Sequence, residues 1–123
     1  MREAINLAVI ENKKLLLVKK KDVWILPGGK PEKDEGDLEC LAREIDEELQ
    51  SQIKVNSYYS YFEGITPHKR DALKSKVYFG ILVEEFYPSN EISDARFVSD
   101  FDNYSLSDIT KLIIKSLKKN GYL

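Results

Sequence analysis

The sequence predicts an α/β (α+β) protein in which a mixed β-sheet is sandwiched between α-helices. Short apolar or β-branched runs bounded by turn residues recur along the chain, which is typical of β-strands. Two longer segments repeat their apolar residues at helical spacing, one before the middle of the chain and one at its end. Strands interrupted by two helices, with hairpins among them, favour a mixed sheet with helices packed on it.

The first third of the chain predicts three strands and a glycine turn. Residues 4–10 and 14–19 are apolar or β-branched runs, and the polar residues 11–13 between them predict a hairpin. A short strand ends at Leu26, and a proline and two glycines follow at 27–29. The two glycines allow the backbone to bend there and to approach a ligand closely.

A helix is predicted over residues 38–49. At about 100° per residue, its apolar residues share one face, while three glutamates lie on the opposite face at positions i, i+3 and i+4. The apolar face consists of Leu38, Leu41, Ala42, Ile45 and Leu49, and the acidic face consists of Glu44, Glu47 and Glu48. We expect the apolar face to dock onto the core and the acidic face to be exposed.

The second half of the chain predicts a pair of central strands and an edge strand. Residues 53–62 form a long strand pattern with an aromatic half, and residues 76–83 form a strand pattern that returns. A polar, turn-rich connection is predicted over residues 63–74. Residues 94–98 predict a short edge strand.

The end of the chain predicts a second helix. Ser105 or Ser107 can cap its start, and Gly121 follows as a stop signal. Lys118 and Lys119 suit the negative end of the helix dipole. The predicted apolar stripe consists of Leu106, Ile109, Leu112, Ile113 and Leu117.

Composition limits the class of protein. A chain of 123 residues with 42% apolar and 33% charged residues is expected to form one globular domain over residues 1–123. No apolar run approaches the ~20 residues needed to cross a bilayer, and the N-terminus lacks a signal-peptide pattern. The one cysteine, Cys40, excludes an internal disulfide and favours a reducing compartment. We therefore expect a cytoplasmic protein with no membrane partner, and its net charge of −2 disfavours duplex nucleic acid.

The acidic helix face predicts a metal-binding site. Carboxylates held this closely repel one another unless a hard cation lies among them, and Mg²⁺ or Mn²⁺ prefers such oxygen ligands. Most acidic helix faces are only solvated, which is the alternative interpretation. Here a glycine pair follows the apolar residues 23–26, and phosphate and metal sites are often built on such loops. The combination favours the metal site.

The same region resembles the Nudix box, G-x5-E-x7-R-E-U-x-E-E-x-G-U, in which U is an apolar residue. Seven defined positions match at the required spacing: Gly29, Glu35, Arg43, Glu44, Ile45, Glu47 and Glu48. Residues 24–29 also look like the usual lead-in of this family. The order of predicted elements is similar to the Nudix fold along the whole chain.

The resemblance ends before the last two motif positions. Gln50 stands in place of the glycine and Ser51 in place of the apolar residue, while Asp34 replaces a glycine that is frequent before the first glutamate. A non-glycine residue in a left-handed position after a helix costs on the order of 1 kcal/mol. We therefore expect Gln50 to let the helix run further before the chain turns. Neither Gln50 nor Ser51 removes a charge that the chemistry needs.

The resemblance implies metal-dependent hydrolysis of a nucleoside diphosphate linked to another group, by attack of water on phosphorus. The implied metal ligands are Glu44, Glu47, Glu48 and the carbonyl of Gly28. They would hold Mg²⁺, with Mn²⁺ possible.

The resemblance also implies catalytic roles. Arg43 would pair with motif carboxylates, such as Glu35, and fix them in place. The general base would be Glu44 or Glu47. Glutamates later in the chain stay open as alternatives: Glu63, Glu84, Glu85 and Glu91.

Candidate substrate contacts include aromatic and basic residues as well as the glycine turn. The named candidates are Gly29, Trp24, Tyr78, Lys69 and Arg70, with Tyr58, Tyr61, Phe97, His68 and Lys74 as further alternatives. Aromatic residues could stack on a base, although an aromatic in a strand is core packing in most cases. Basic residues of the polar connection could reach phosphates, although a solvated loop is the usual role. With a single histidine, the chain offers no rival Ser-His-Asp chemistry.

Two functions follow from the sequence. The first is a small MutT-like nucleotide pyrophosphatase acting on a nucleoside triphosphate or a modified one, with a homodimer possible on the family pattern. The second is a catalytically silent module of the same fold that binds a nucleotide. Every motif glutamate is present, which favours the enzyme.

Overall fold

The computed structural model describes residues 2–65 and 71–123. In chain order these residues form β1 (Arg2–Ala8), β2 (Ile10–Glu11), β3 (Lys14–Lys20), β4 (Val23–Ile25), β5 (Gly28–Gly29), α1 (Asp37–Leu49), β6 (Ile53–Ile65), β7 (Ala72–Leu82), β8 (Ile92–Val98), a 3-10 turn (Phe101–Asn103) and α2 (Asp108–Lys119). This arrangement confirms the predicted mixed fold class.

The described strands divide into two sheets. One has the order β5-β1-β7-β6, in which β1 and β7 are parallel and the other pairs are antiparallel. In the other, β2, β4 and β8 all pair antiparallel with β3. The hairpin predicted between residues 4–10 and 14–19 is therefore confirmed at its tip alone. The predicted first strand is interrupted at Val9. Its first part, β1, belongs to the other sheet, because it pairs with β5 and β7.

The core lies on both faces of β3. Its residues Leu15 and Leu17 pack in the apolar cluster that includes α2, while Leu16 and Val18 pack in the cluster that includes α1. All four side chains are fully buried. Burial of one such side chain contributes roughly 1.5–3 kcal/mol, so β3 fixes both helices to the sheets. The prediction of sheets sandwiched between helices is confirmed.

The long strands β6 and β7 extend further than the sequence predicted. They pair antiparallel, with two register shifts, until Ile65 lies opposite Ala72, and Glu63 lies opposite Lys74. The predicted polar connection over residues 63–74 is therefore wrong at both ends. Residues of opposite charge can lie opposite each other on paired strands. The polar composition of this segment was nevertheless interpreted as a loop in the sequence.

Helix α2 begins at one of the two predicted caps. The Oγ of Ser107 accepts a hydrogen bond of 3.2 Å from the amide of Thr110, which satisfies an otherwise unpaired helix donor. The predicted stripe is wrong at Leu112, which is 45% exposed, because the buried face is turned towards Thr110 and Ile114. In the described ranges, neither helix is long and apolar enough to span a membrane.

Candidate active site

Helix α1 presents a different face to the core than its sequence predicted. Leu38 is 53% exposed and Ala42 is also exposed, so the prediction that they belong to the docked face is wrong. The buried side consists of Cys40, Leu41, Ile45, Glu48 and Leu49. Strand β5 lies against α1 and covers the side that carries Cys40 and Glu48. The tertiary contact with β5 therefore sets the rotation of the helix.

Glu48 is a buried carboxyl group beside β5. Its side chain is 8% exposed, and its Oε1 accepts a hydrogen bond of 3.0 Å from the amide of Gly28. Burial raises the pKa of Glu48 to about 8, and the charges of Glu44 and Glu47 act in the same direction. The prediction that Glu48 lies on an exposed acidic face is wrong. Its ionised form needs a nearby positive charge for stability.

Both glycines of β5 are required by close approach. Gly28 has φ of +136°, and a Cβ added there would overlap the carbonyl oxygen of Ile5. A Cβ added at Gly29 would lie 2.5 Å from the carboxylate of Glu44. The lack of side chains therefore lets β5 pair with β1 while the glutamates of α1 approach its other side.

Arg43 organises the carboxylates around it. Its guanidinium group donates to both oxygens of Glu35, at 2.7 and 2.8 Å, and to Oε1 of Glu44 at 2.8 Å. The Nη1 that donates to Glu44 also lies 3.4 Å from Glu47, and Nη2 also donates to the carbonyl of Lys30 at 3.1 Å. The hydrogen bond from Arg43 lowers the pKa of Glu35 to about 2. The predicted pairing of Arg43 with Glu35 is confirmed, and the same guanidinium group also holds Glu44.

Glu44 and Glu47 differ in their surroundings. Burial raises the pKa of Glu44, although the hydrogen bond from Arg43 opposes this effect. Glu47 is exposed, and its contacts to Arg43 are longer, at 3.4 Å. Of these two carboxylates, Glu47 is thus held less firmly.

Glu44, Glu47 and Glu48 of α1 line one cleft with a volume of about 510 Å³. Its walls are Lys20, Gly28, Gly29, Lys30, Glu44, Glu47, Glu48, Asn90, Glu91 and Ile92. The helix, β5 and the turn before β8 thus contribute to one opening. Its size is in the range of small-molecule sites.

The side chains in this cleft suit a divalent cation. Carboxylate oxygens are the donors that Mg²⁺ and Mn²⁺ prefer, and the buried Glu48 would be stabilised in its ionised form by such an ion. Within the described ranges, no three acidic, histidine or cysteine side chains already surround one point as ligands. Arg43 and the Gly28 amide hold Glu44 and Glu48 instead. Gly28 lines the cleft, and the prediction that its carbonyl is a ligand stays a prediction.

An apolar cavity of about 180 Å³ adjoins the cleft. Part of its lining comes from β1, β4, β7 and α2: Ala4, Asn6, Ile25, Leu26, Leu73, Ser107, Ile109, Thr110 and Ile113. Both recesses share Lys20, Gly28, Gly29 and Glu48. The sequence analysis missed this cavity because its walls come from seven elements, β1, β3, β4, β5, α1, β7 and α2, many of which are distant in the chain.

Helix α1 ends at Leu49, so the prediction that Gln50 extends it is wrong. Gln50 has φ of 52° and ψ of 40°, the left-handed conformation that the motif glycine would adopt. Its Nε2 donates to the Oγ of Ser89 at 3.2 Å. Ser51 is buried, and its Oγ donates to the carbonyl of Glu84 at 3.2 Å. With Gln50 and Ser51 in these two motif positions, the helix therefore still ends as the family motif implies.

Two of the predicted substrate contacts lie away from the cleft. Trp24 is 7% exposed and packs edge-on against Tyr104 in the core. The hydroxyl of Tyr78 donates to Asp37 at 2.5 Å, in the first turn of α1. Neither side chain belongs to the lining of the cleft or of the cavity. In this structure Trp24 therefore has a packing role and Tyr78 anchors the start of α1.

The other candidates are distributed as follows. Gly29 lines both recesses. Lys69 and Arg70, together with His68, lie outside the described residues. Lys74 lies over the ring of the exposed Tyr61, with Nζ 4.4 Å from the ring centre. Tyr58 is exposed and meets Tyr78 edge-on, while Phe97 packs against Phe86.

Among the later glutamates, Glu91 reaches the cleft. It lies in the cleft wall, whereas Glu63, Glu84 and Glu85 are absent from that lining. The cleft lining also includes four residues that the sequence analysis missed: Lys20, Lys30, Asn90 and Ile92. The Ser and Asn at 89 and 90 are residue types that favour turns, and this signal could have indicated an ordered turn. In the structure Asn90 adopts φ of 56°. No comparable signal distinguishes Lys20 from its neighbouring lysines.

Cys40 is a buried neighbour of the site. Its Sγ contacts the carbonyl oxygen of Gly29 at 3.5 Å. Burial raises the pKa of Cys40 to about 12, so the thiol stays protonated and unreactive at neutral pH.

A mixed fold with three glutamates of one helix facing a glycine strand defines the class of protein to which the motif pointed. The sequence profile described as NUDIX domain matches residues 1–111. The chain therefore belongs to the Nudix family, and the predicted resemblance is confirmed.

Individual relatives agree with this assignment. A protein named 8-oxo-dGTP diphosphatase from Buchnera aphidicola is 38% identical over 60 residues, which cover 49% of this chain and 45% of that protein. A crystal structure of a Nudix hydrolase family member from Chromobacterium violaceum is 27% identical, with a TM-score of 0.73 over 97% of this chain and 77% of the other. The MutT protein from Methanosarcina mazei has a TM-score of 0.82 at 18% identity, over 99% and 96% of the two chains, which shows the fold alone.

Proposed function

We propose that this protein is a metal-dependent pyrophosphohydrolase that cleaves a diphosphate linkage in a nucleoside diphosphate derivative. One observation carries the proposal: the cleft lined by Glu44, Glu47 and Glu48 opens beside an apolar cavity. A cleft of carboxylates suits the cation and phosphates, while an apolar recess suits a nucleobase. The similarity to a relative named 8-oxo-dGTP diphosphatase supports a nucleoside triphosphate, modified or not, as the substrate class.

The residues of the cleft would have separate roles in binding the cation and in positioning its ligands. Glu44, Glu47, Glu48 and the Gly28 carbonyl would hold Mg²⁺, with Mn²⁺ as the alternative ion. A divalent cation bound there would neutralise charge on the phosphate oxygens. Arg43 would keep Glu44 and Glu35 in position through the hydrogen bonds described above.

We assign the general base to Glu47, with Glu44 as the alternative, because Glu47 is exposed and its contacts to Arg43 are long. The carboxylate would take a proton from water while the water oxygen forms a bond to phosphorus. The phosphorus–oxygen bond of the diphosphate bridge would break, and its electron pair would leave with the departing phosphate group.

A catalytically silent nucleotide-binding module is the competing function. The sequence feature that favoured this module was the replacement of the motif glycine by Gln50. Gln50 adopts the left-handed conformation of that glycine, and the glutamates of α1 keep their places in the cleft. The geometry therefore favours the enzyme.

The test is release of phosphate or pyrophosphate from a panel of substrates. The panel contains nucleoside triphosphates, oxidised nucleotides, ADP-ribose, nucleotide sugars and dinucleoside polyphosphates, each with Mg²⁺, with Mn²⁺ and with excess chelator. We expect metal-dependent release from one class. Nucleotide binding without release across the panel would favour the silent module.

Substitutions in α1 test the assignment of the site. Glu47→Gln and Glu48→Gln are each expected to lower turnover on the order of 1,000-fold, equivalent to ~4 kcal/mol, because each removes a charge from the metal face. Asp46→Asn is the matched control, since Asp46 is exposed on the same helix and lies outside the cleft lining. Unimpaired turnover in both glutamine variants would contradict the assignment of Glu47 and Glu48 as metal ligands.

A further inference from the structure

Lys20 lies at the boundary between the cleft and the apolar cavity. Its side chain lines both recesses, as do Gly28, Gly29 and Glu48. Among the described residues, no other lysine or arginine lines both. Lys30 belongs to the cleft alone. A ligand that occupies both recesses must therefore pass Lys20.

The backbone directs Lys20 towards this boundary. Lys20 is the last residue of β3, and the pairing of β3 with β8 shifts register between Lys19 and Lys20. The extra residue of this shift is Ser93 in β8, so the irregularity lies in the strand beside Lys20, and such irregularities are common next to binding sites. Because successive strand residues point to opposite faces, Lys19 projects away from the side that Lys20 serves.

Lys20 forms an ion pair with Glu91. Lys20 Nζ lies 3.1 Å from Oε2 of Glu91, and this hydrogen bond lowers the pKa of Glu91. Glu91 is 73% exposed, so the pair is screened by solvent and contributes little stability. In a nucleoside diphosphate derivative, the phosphate joined to the nucleoside carries one negative charge on two non-bridging oxygens, and the next phosphate adds further negative charge close by. A charge-assisted hydrogen bond from Lys20 to this phosphate can therefore replace the exposed contact with Glu91.

The turn that carries Glu91 is fastened to α1. Asn90 Nδ2 donates to the carbonyl of Glu47 at 3.0 Å, and the Ser89 amide donates to the carbonyl of Glu48 at 2.9 Å. The turn is therefore tied in place, and the long side chain of Lys20 is the part of the pair that can move.

Arg43 is less available than Lys20 to bind an anion that enters the site. Its guanidinium group is occupied by Glu35, Glu44 and the carbonyl of Lys30. By contrast, Lys20 forms an exposed ion pair with Glu91. Lys20 is therefore better able to exchange its partner when an anion enters the site.

We propose that Lys20 binds the phosphate group joined directly to the nucleoside and that Glu91 holds Lys20 until this phosphate displaces it. The inference rests on the proposed function, in which the base occupies the cavity and the diphosphate occupies the cleft. The phosphate next to the nucleoside then lies where the two recesses meet, beside Lys20. Lys20 would thereby fix which phosphate faces the carboxylates of α1.

The test compares four variants: Lys20→Met, Lys20→Arg, Glu91→Gln and the matched control Lys19→Met. Calorimetry measures binding of the nucleoside monophosphate and of the corresponding nucleoside, for the base that the substrate panel selects, or for guanine if the panel is silent. Turnover of the selected substrate gives kcat and KM separately.

We expect Lys20→Met to weaken binding of the monophosphate by about 10- to 100-fold, as for loss of one charge-assisted hydrogen bond, and to raise KM by a similar factor. Binding of the nucleoside should stay at the wild-type value, and Lys20→Arg should restore most of the lost affinity. Lys19→Met should behave as the wild type. Glu91→Gln should tighten monophosphate binding by about two- to threefold, because Lys20 loses its competing partner.

Different results separate the two proposals. A wild-type protein that hydrolyses nothing contradicts the proposed function, whereas the binding comparison still tests Lys20. Equal monophosphate affinity in Lys20→Met and Lys19→Met overturns the role of Lys20. Equal losses for nucleoside and monophosphate also overturn it, since they would indicate a structural role. Unchanged or weaker monophosphate binding in Glu91→Gln overturns the holding role of Glu91.

Discussion

Two opposing effects determine the pKa of Glu48. Its burial and the neighbouring glutamates disfavour a negative charge, while the Gly28 amide and Lys20 favour it. The result is a pKa of about 8, far above that of an ordinary glutamate. At the scale of one residue, we therefore predict that Glu48 couples pH to cation binding.

This coupling predicts a pH-dependent stability. A carboxyl group whose pKa is higher in the folded state binds a proton more tightly there, so it stabilises the fold at low pH. Its contribution is complete below about pH 4.5 and is lost as the pH rises towards about 8. In excess chelator, we expect the free energy of unfolding to fall over this window by up to about 1.4 kcal/mol per pH unit. Glu48→Gln should flatten the fall, as measured by urea unfolding at pH 5 to 8; an unchanged slope would contradict the assignment.

Gly29 gives a second prediction at this scale. Gly29→Ala would place a methyl group against the carboxylate of Glu44. We expect Glu44 to move and turnover to fall by about 100-fold, because small displacements of a site group have effects of this size. Gly64→Ala is the control, since its added Cβ would make ordinary contacts with Ile109. Equal kcat values for the two variants would show that the position of Glu44 is not critical.

At the scale of elements, the exit of α1 joins the acidic helix to the turn before β8. Gln50 turns the chain, and the backbone amides of Tyr87 and Ser89 donate to the last carbonyls of the helix, those of Leu49 and Glu48. These bonds satisfy groups that a helix end leaves unpaired. They also bring Glu91 to the cleft, so the end of the helix is part of the site.

The left-handed conformation of Gln50 predicts a stabilising substitution. Gln50→Gly should raise the free energy of unfolding relative to Gln50→Ala by about 1 kcal/mol, because glycine adopts this conformation without steric penalty. The alanine variant is the matched reference, since both substitutions remove the side-chain contact to Ser89. Urea unfolding measures the difference. Equal stability of the two variants would mean that the backbone at Gln50 is not strained.

At the scale of the whole molecule, the site lies where separate parts of the fold meet. The glutamates belong to α1, the glycines to β5 in one sheet, and Lys20 to β3 in the other. An ion or ligand in the cleft would therefore connect elements that the backbone joins only indirectly. Binding should then stabilise the folded state as a whole.

This arrangement predicts stabilisation by Mg²⁺. At 100 times its dissociation constant, a cation that binds the folded state alone raises the free energy of unfolding by about 2.7 kcal/mol. We expect a gain of this order for the wild type and for Asp46→Asn when Mg²⁺ replaces chelator at pH 8, measured by urea unfolding. The double variant Glu47→Gln and Glu48→Gln should lose the gain. An equal gain in the double variant would place the cation elsewhere.

The sequence by itself determined the features that are encoded within one element or one motif. The spacing of Glu44, Glu47 and Glu48 placed them within one stretch of helix, and the motif indicated that Arg43 pairs with Glu35. The apolar run of β3 predicted a strand, and the structure buries it on both faces. These features depend on local periodicity and on short contacts, which a sequence records directly.

The tertiary structure decided how those elements meet. Contact with β5 rotated α1 and buried Glu48, although the helical pattern alone assigned Leu38 and Ala42 to the core. Lys20 and Glu91 pair across 71 positions of the chain because β3 and β8 are neighbours. The physical reason is that periodicity shows which residues share a face, whereas strand pairing and the close approach allowed by β5 determine what that face contacts.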